Sequence, residues 1–343
     1  MSQDPVSQAR ENLDRWMAVS RRAGESVHWR QLNRHIASLS NLTQFRRVNA
    51  ENAMKEEGRL GLDSARLDQE SETQLVLDRL LSQWSFTEVA GLLESRVGSP
   101  PQFDVRTTNG QSLKTDVHDL HMVNFALTFC RFLSSNRTTT PAVLEIGGGY
   151  GATVAKIATL LPSVRFVLVD LPPACWLQSY YLNELFPGQV RVLPLNSHLE
   201  PSDMTHRFTI CEPTTFFNGA IRISGAINAR SFGEMDKPVV RRYFDYIHTN
   251  MEVGGIFMNV NRLVKLGFRY VDYPYDNKWK VLQSRPAFNQ ESNHWELVTQ
   301  RLAATDEAFG SWKAEVPKLA RQSIFRRLYL RLADLRRRLL AHG

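Results

Sequence analysis

Glu145, Gly147, Gly149 and Gly151 lie within the stretch AVLEIGGGYGATVAKI, and Asp170 follows in VRFVLVD. A short apolar run, a glycine-rich turn and an apolar helical run read as strand, turn and helix. Glycines let such a turn bend sharply and let its backbone approach a ligand closely. In open α/β sheets ligands bind beyond the carboxyl ends of the strands at such a turn. A carboxylate ending the next strand can accept both hydroxyls of an adenosine ribose. Asp170 holds that place, so the pattern points to an adenosine-containing ligand. Tyr150, inside the turn, and Leu171, after the acid, complete the candidate binding set.

Two adenosine ligands compete. The dinucleotide pattern G-x-G-x-x-[GA] is met by Gly147, Gly149 and Ala152, which would make the chain a nicotinamide-dependent oxidoreductase. That ligand brings a pyrophosphate to the turn. Two like charges about 5 Å apart at an effective dielectric near 20 repel by about 3 kcal/mol, and Glu145 imposes part of that cost. S-adenosylmethionine carries a sulfonium and an ammonium and no phosphate, so Glu145 attracts it. The glutamate therefore selects a cationic adenosine ligand over an anionic one.

The elements that must position these residues alternate. AVLEI, VRFVLVD, QVRVLPL, RFTICEP, GAINARSF and GGIFMNV read as strands; whether QVRVLPL or RFTICEP joins the main sheet stays open. GATVAKIATLL, PACWLQSYYLNELF and KPVVRRYFDYIHTNM read as the helices between them, and DVHDLHMVNFALTFCRFL as a helix ahead of the first strand. KVLQSRPAF and HWELVTQRLA flank NQESN as a β-hairpin. The predicted fold is α/β: a doubly wound, mostly parallel, Rossmann-like sheet closed by an antiparallel hairpin. A helical N-terminal region is expected over residues 1–100, the α/β domain over 101–303 and a basic helical tail over 304–343. Within the first region Leu32, Ile36, Leu39, Leu42 and Phe45 recur at helical spacing, and Ser71 with Gln74 reads as a capping box. GSPPQF breaks that helical run.

The pattern E-x-G-x-G-x-G at Glu145, Gly147, Gly149 and Gly151 resembles motif I of class I S-adenosylmethionine-dependent methyltransferases. The resemblance implies that the acid and glycines line the methionine end of the cofactor and that Asp170 holds the ribose. Three further stretches resemble a narrower family, the sugar O-methyltransferases of bacterial polysaccharide and glycoside pathways. They are LLESRVGSPP with Glu94, Ser95, Gly98 and Pro100, FVLVDLPPACWLQSYYLNELFP with Asp170, Pro172 and Pro173, and INARSFGEM with Ser231, Phe232, Glu234 and Met235. DYPYDNKW is similar to that family's connection before the hairpin. The likeness covers roughly residues 90–303, while CEPTTFFNGAIRISG departs from it. It implies methyl transfer to a hydroxyl of a sugar or glycoside. A methyltransferase-like subunit without catalysis is the third reading.

A sugar hydroxyl is a weak nucleophile at neutral pH, so its proton must be taken as it attacks. Glu234, just after GAINARSF, is one candidate base, or else it caps the next helix. His118 and His121, three apart on the helix before motif I, are the others, with Asp116 and Asp119 as neighbours. The acceptor is expected between the end of GAINARSF and that helix. Asn259 and Asn261 could hold sugar hydroxyls or a metal. The aromatics of Tyr270–Trp279 could stack on a sugar ring or form core. A divalent metal could acidify the hydroxyl, but only Glu234 and Asp236 form a close acidic pair in that region, so no metal ligands are assigned.

With 343 residues and 43% hydrophobic content the chain can build a sizeable core. No apolar run reaches the roughly 18 residues that span a bilayer, and MSQDPVSQARENLDRW has no signal-peptide core. Cys130, Cys175 and Cys211 are far apart and suit a reducing cytoplasm. Of the net charge of +7, residues 301–343 carry most, with ten Lys/Arg against four Asp/Glu. The body is nearly neutral, so nucleic acid is not an expected partner. In the tail Phe325, Leu328, Leu332, Leu335 and Leu339 form one helical stripe among arginines. It could dock on its own domain, join a second copy, or lie on the inner face of an anionic membrane.

Overall fold

The structure, a computed structural model, describes residues 4–19, 42–47, 62–134, 142–265, 268–287, 294–303 and 312–324. In chain order the elements are α1 (Pro5–Val19), α2 (Leu62–Leu81), α3 (Phe86–Ala90), β1 (Phe103–Arg106), β2 (Ser112–Thr115), α4 (Val117–Ser134), β3 (Ala142–Ile146), α5 (Ala152–Leu160), β4 (Arg165–Val169), α6 (Pro172–Leu185), β5 (Val190–Val192), β6 (Phe208–Cys211), α7 (Pro213–Phe217), β7 (Ile223–Ala229), α8 (Lys237–Asn250), β8 (Met251–Arg262), β9 (Val264–Lys265), β10 (Phe268–Arg269), β11 (Trp279–Pro286) and β12 (His294–Arg301). The expected α/β fold with a largely parallel central sheet is borne out. The chain forms two compact units, Met1–Arg131 with Gly148–Ile221 and Phe132–Gly147 with Arg222–Gly343.

In the first unit β6 pairs in parallel with β4 on one side and β5 on the other. Both strands left open by the sequence therefore join the sheet. β6 and all of β4 after Arg165 are buried, which explains why both strands are mostly apolar. α1 packs on α6, with Arg10 4.8 Å over the Trp176 ring, and Asn12 Nδ2 donates to the carbonyl of Leu193, just after β5, at 3.1 Å. Two local expectations need correction. Ser71 sits inside α2, with Thr73 Oγ1 back-bonded to the Gln69 carbonyl, so it caps nothing. The capping box is Ser85 with Glu88, at the start of α3. β1 and β2 add an antiparallel hairpin beyond the expected elements, although Asn109-Gly110 between them is a strong hairpin signal.

In the second unit β3, β7 and β8 are parallel, and β12 and β11 add the expected antiparallel hairpin. Under it lies an aromatic core. Phe244 is 4.8 Å from Tyr275 and 5.9 Å from Tyr273, and Tyr270 and Trp279 are fully buried. The Tyr270–Trp279 aromatics are thus core and not a sugar platform. Residues 312–324 are helical and dock on the same unit, with Trp312 4.5 Å from Tyr275 and Glu315 Oε1 accepting from Ser284 Oγ at 2.6 Å. The leucine stripe of the tail, like Leu32, Ile36 and Leu39, lies outside the described residues. Among those described, no helix is long and apolar enough to cross a membrane.

Candidate functional site

In the first unit the glycine turn enters α5 through Gly151, and Asp170 ends β4 beside it. Asp170 is only 6% exposed. Its Oδ2 accepts from the Gly149 N–H at 3.0 Å and from Gln178 Nε2 at 3.3 Å, and Oδ1 accepts from the Leu171 N–H at 2.8 Å. Burial pushes the carboxyl up to about 7, against the pull of the Leu171 and Gly149 donors. No Lys or Arg among the described residues contributes to neutralising it. Gln178, fully buried on α6, leaves its Oε1 without a hydrogen-bond partner among the described residues. An ionised carboxylate offers about four lone-pair positions, and three are used here. Such a group has room for a hydroxyl donor and stands at the place the sequence assigns to a ribose. Gln178 is invisible in the sequence because a glutamine on a helix carries no pattern until its face is known.

Tyr150, next in the turn, packs its ring at 4.9 Å from Tyr181 and 5.1 Å from Phe45. The imidazole of His118, an exposed residue, lies 5.6 Å from it, so the structure brings His118 to a turn residue. His121 is different: it is 3% exposed and stacks on Phe125 at 6.4 Å. Three residues rotate a helix by about 300°, and the remaining offset is enough to put one histidine at the edge of α4 and the other inside.

In the second unit Glu145 is buried near the end of β3, and Gly147 follows at φ +65°. Ser231 Oγ donates to the Ile146 carbonyl at 3.2 Å and accepts from Asn228 Nδ2 at 2.5 Å. Asn228 Nδ2 also reaches the Ile146 carbonyl at 2.9 Å, and its Oδ1 accepts from the Phe232 N–H at 3.2 Å and from Asn261 Nδ2 at 2.7 Å. Asn261 Nδ2 further donates to Asn259 Oδ1 at 2.6 Å, its Oδ1 accepts from the Gly233 N–H at 3.3 Å, and Asn259 Nδ2 donates to the Tyr275 hydroxyl at 3.2 Å. All three asparagines are fully buried. Their amides are committed to one another, so Asn259 and Asn261 are not presented to a sugar or a metal. A satisfied buried network of this kind rigidifies what it holds. Here it holds the end of β3 and the short 3-10 turn Phe232–Glu234.

Glu234 ends that turn, partly exposed, with its N–H on the Ser231 carbonyl at 3.0 Å. The N-cap position of α8 is held by Asp236, two residues further on. Among the described residues no group of three or more His, Cys, Asp or Glu is arranged to hold a metal ion.

No family model and no curated protein sequence matches the chain. Solved structures match over about half of it. An O-methyltransferase family protein from Burkholderia thailandensis is 13% identical, with 54% of this chain and 58% of that one covered and a TM-score of 0.38. The N-methyltransferase NodS from Bradyrhizobium japonicum WM9 is 14% identical, with 53% and 97% covered and a TM-score of 0.37. The mitomycin 7-O-methyltransferase MmcR is 15% identical, with 54% and 56% covered and a TM-score of 0.34, so the match spans little more than half of that protein's length.

Proposed function

We propose that this chain is an S-adenosylmethionine-dependent O-methyltransferase acting on a hydroxyl of a sugar or glycoside. The observation that carries the cofactor is Asp170: a buried carboxylate with no neutralising cation among the described residues, tied to the Gly149 N–H at 3.0 Å in a glycine turn. Its remaining acceptor capacity suits ribose hydroxyls. Glu145 supplies the negative charge that favours a sulfonium over a pyrophosphate. When bound, the cofactor supplies an activated methyl group. The chain's own part is to hold the adenosine through Gly149, Tyr150, Gly151, Asp170 and Leu171, to set Glu145 and Gly147 at the methionine end, and to take the acceptor's proton through Glu234 or His118. The sugar rests on the resemblance at Glu94–Pro100 and Ser231–Met235.

Calorimetric titration with S-adenosylmethionine and with NADH tests the cofactor. Binding of the first and not the second is expected; binding of NADH alone overturns the proposal. Methyl transfer to glycans, followed by a mass change of about 14 Da (one CH₂), tests the acceptor.

Asp170 gives this binding a pH dependence. Ribose hydroxyls donate to the ionised carboxylate, which Asp170 becomes only as pH passes about 7. Affinity should rise with pH, by up to about tenfold from about pH 6 to about pH 8. Asp170→Asn should be weaker throughout and lose the slope. The apo fold should show the opposite trend. Between the ordinary value of 3.8 and about 7 the folded chain keeps a proton that the unfolded chain has lost. Apo stability therefore falls as pH rises through that window. Equal wild-type affinities at the two ends of that pH range would remove Asp170 from the site.

A further inference from the structure

The segment Leu42–Arg47 lies about a hundred residues before the glycine turn, yet it packs against it. Phe45 is fully buried, with its ring edge-to-face at 5.1 Å from Tyr150 and 6.4 Å from Tyr181. The guanidinium of Arg46 lies 5.6 Å over the Tyr150 ring, a cation–π distance. Arg46 is only 5% exposed and is held on every side. It donates to the Glu94 carbonyl at 2.9 Å, Glu94 Oε2 at 3.1 Å, Asp116 Oδ2 at 3.2 Å and Asp119 Oδ1 at 3.5 Å. Lys156, on α5, joins from the other side, 2.9 Å from Asp119 Oδ1 and 2.7 Å from the Leu92 carbonyl.

The loop after Glu94 locks the segment in place. Glu94 Oε1 accepts from the Arg96 N–H at 2.6 Å, and the Gly98 carbonyl accepts from the Arg46 N–H at 2.9 Å. Gly98 has φ +80°, and a Cβ there would come within 2.5 Å of the Phe45 ring. The E-S-x-x-G-x-P stretch thus has a physical role, since its glutamate and glycine seat Phe45 and Arg46. Three carboxylates and two cations are buried together. Such a group is an expensive way to gain stability but a strong way to fix geometry, and the ring it fixes belongs to Tyr150.

We propose that Arg46 and Phe45 are positioning residues of the cofactor site, acting through Tyr150 to set the affinity of the glycine turn. The inference rests on the cofactor reading above. The full chain is titrated with S-adenosylmethionine for wild type, Arg46→Lys, Arg46→Met, Phe45→Leu, Tyr150→Ala and the pairs Arg46→Met/Tyr150→Ala and Phe45→Leu/Tyr150→Ala, each checked for folding by its melting transition. Arg46→Met and Phe45→Leu should each weaken binding about tenfold, with Arg46→Lys between them and wild type. In each pair the loss should be no greater than in Tyr150→Ala alone, because the segment's effect passes through that ring. A purely structural role would instead make the losses multiply. Wild-type binding with unchanged affinity in folded Phe45→Leu, or multiplicative losses in the pairs, overturns this proposal while leaving the cofactor reading intact. A wild-type chain that binds no S-adenosylmethionine overturns both.

Discussion

Gly147→Ala is expected to destabilise the folded chain by about 2–5 kcal/mol, the sum of a left-handed backbone cost for a residue with a Cβ and an overpacking cost. Gly147 sits at φ +65°, and a Cβ there would lie 2.2 Å from Ser231 Oγ and 2.5 Å from Ser231 Cβ. Ser231 cannot easily give way. Its hydroxyl is tied to the Ile146 carbonyl and to Asn228, which is tied in turn to Asn261. The double variant Gly147→Ala/Ser231→Gly separates the two costs. Because Ser231→Gly itself loses the bonds to Ile146 and Asn228, the comparison is with Ser231→Gly alone: on that background Gly147→Ala keeps only the backbone penalty, roughly half of its cost. Urea unfolding of the wild type, the two single variants and the double variant measures this. A Gly147→Ala protein within about 0.5 kcal/mol of wild type would mean that the turn does not need glycine there.

The strands and the glycine turn were legible because they are written in local pattern, whereas the order of the strands in the sheet was not. β3, β4 and β6 are short, mostly apolar runs, as strands covered on both faces tend to be. Asp170 was legible for the same reason, since its place is set by the end of such a run. Ser71 shows where local pattern misleads. A capping serine needs a non-helical backbone, and α2 is already running from Leu62 when the chain reaches it. The asparagines show a different limit. Asn228 faces Asn259 across the parallel pair of β7 and β8, so their pairing is a matter of register, which no single strand states. Arg46 is further out of reach, for its partners Glu94, Asp116 and Asp119 lie 48, 70 and 73 residues away. Spacing can mark Phe45 as buried, but it does not say which carboxylates will surround the arginine beside it.

The base is the residue on which turnover should depend most. Taking the proton from a weak nucleophile is typically worth about 10²–10⁴-fold, so Glu234→Gln should lower turnover by about 10²-fold or more if the carboxylate does that work. His118→Ala should do so if the imidazole does. The backbone that carries Glu234 is held firmly, because the Phe232 and Gly233 N–H groups of its turn are fixed by Asn228 and Asn261 at 3.2 Å and 3.3 Å, while the residue itself keeps partial exposure. His118, which is exposed, stands beside Tyr150 of the turn. His121, buried on Phe125, should act on stability and not on the pH profile of turnover. Methyl transfer and cofactor titration are run together on Glu234→Gln, His118→Ala and His121→Ala. Loss of turnover with cofactor affinity unchanged identifies a group acting on the acceptor, because a group that served cofactor binding alone would move the affinity. Near-wild-type turnover in both Glu234→Gln and His118→Ala would exclude these two side chains as the base.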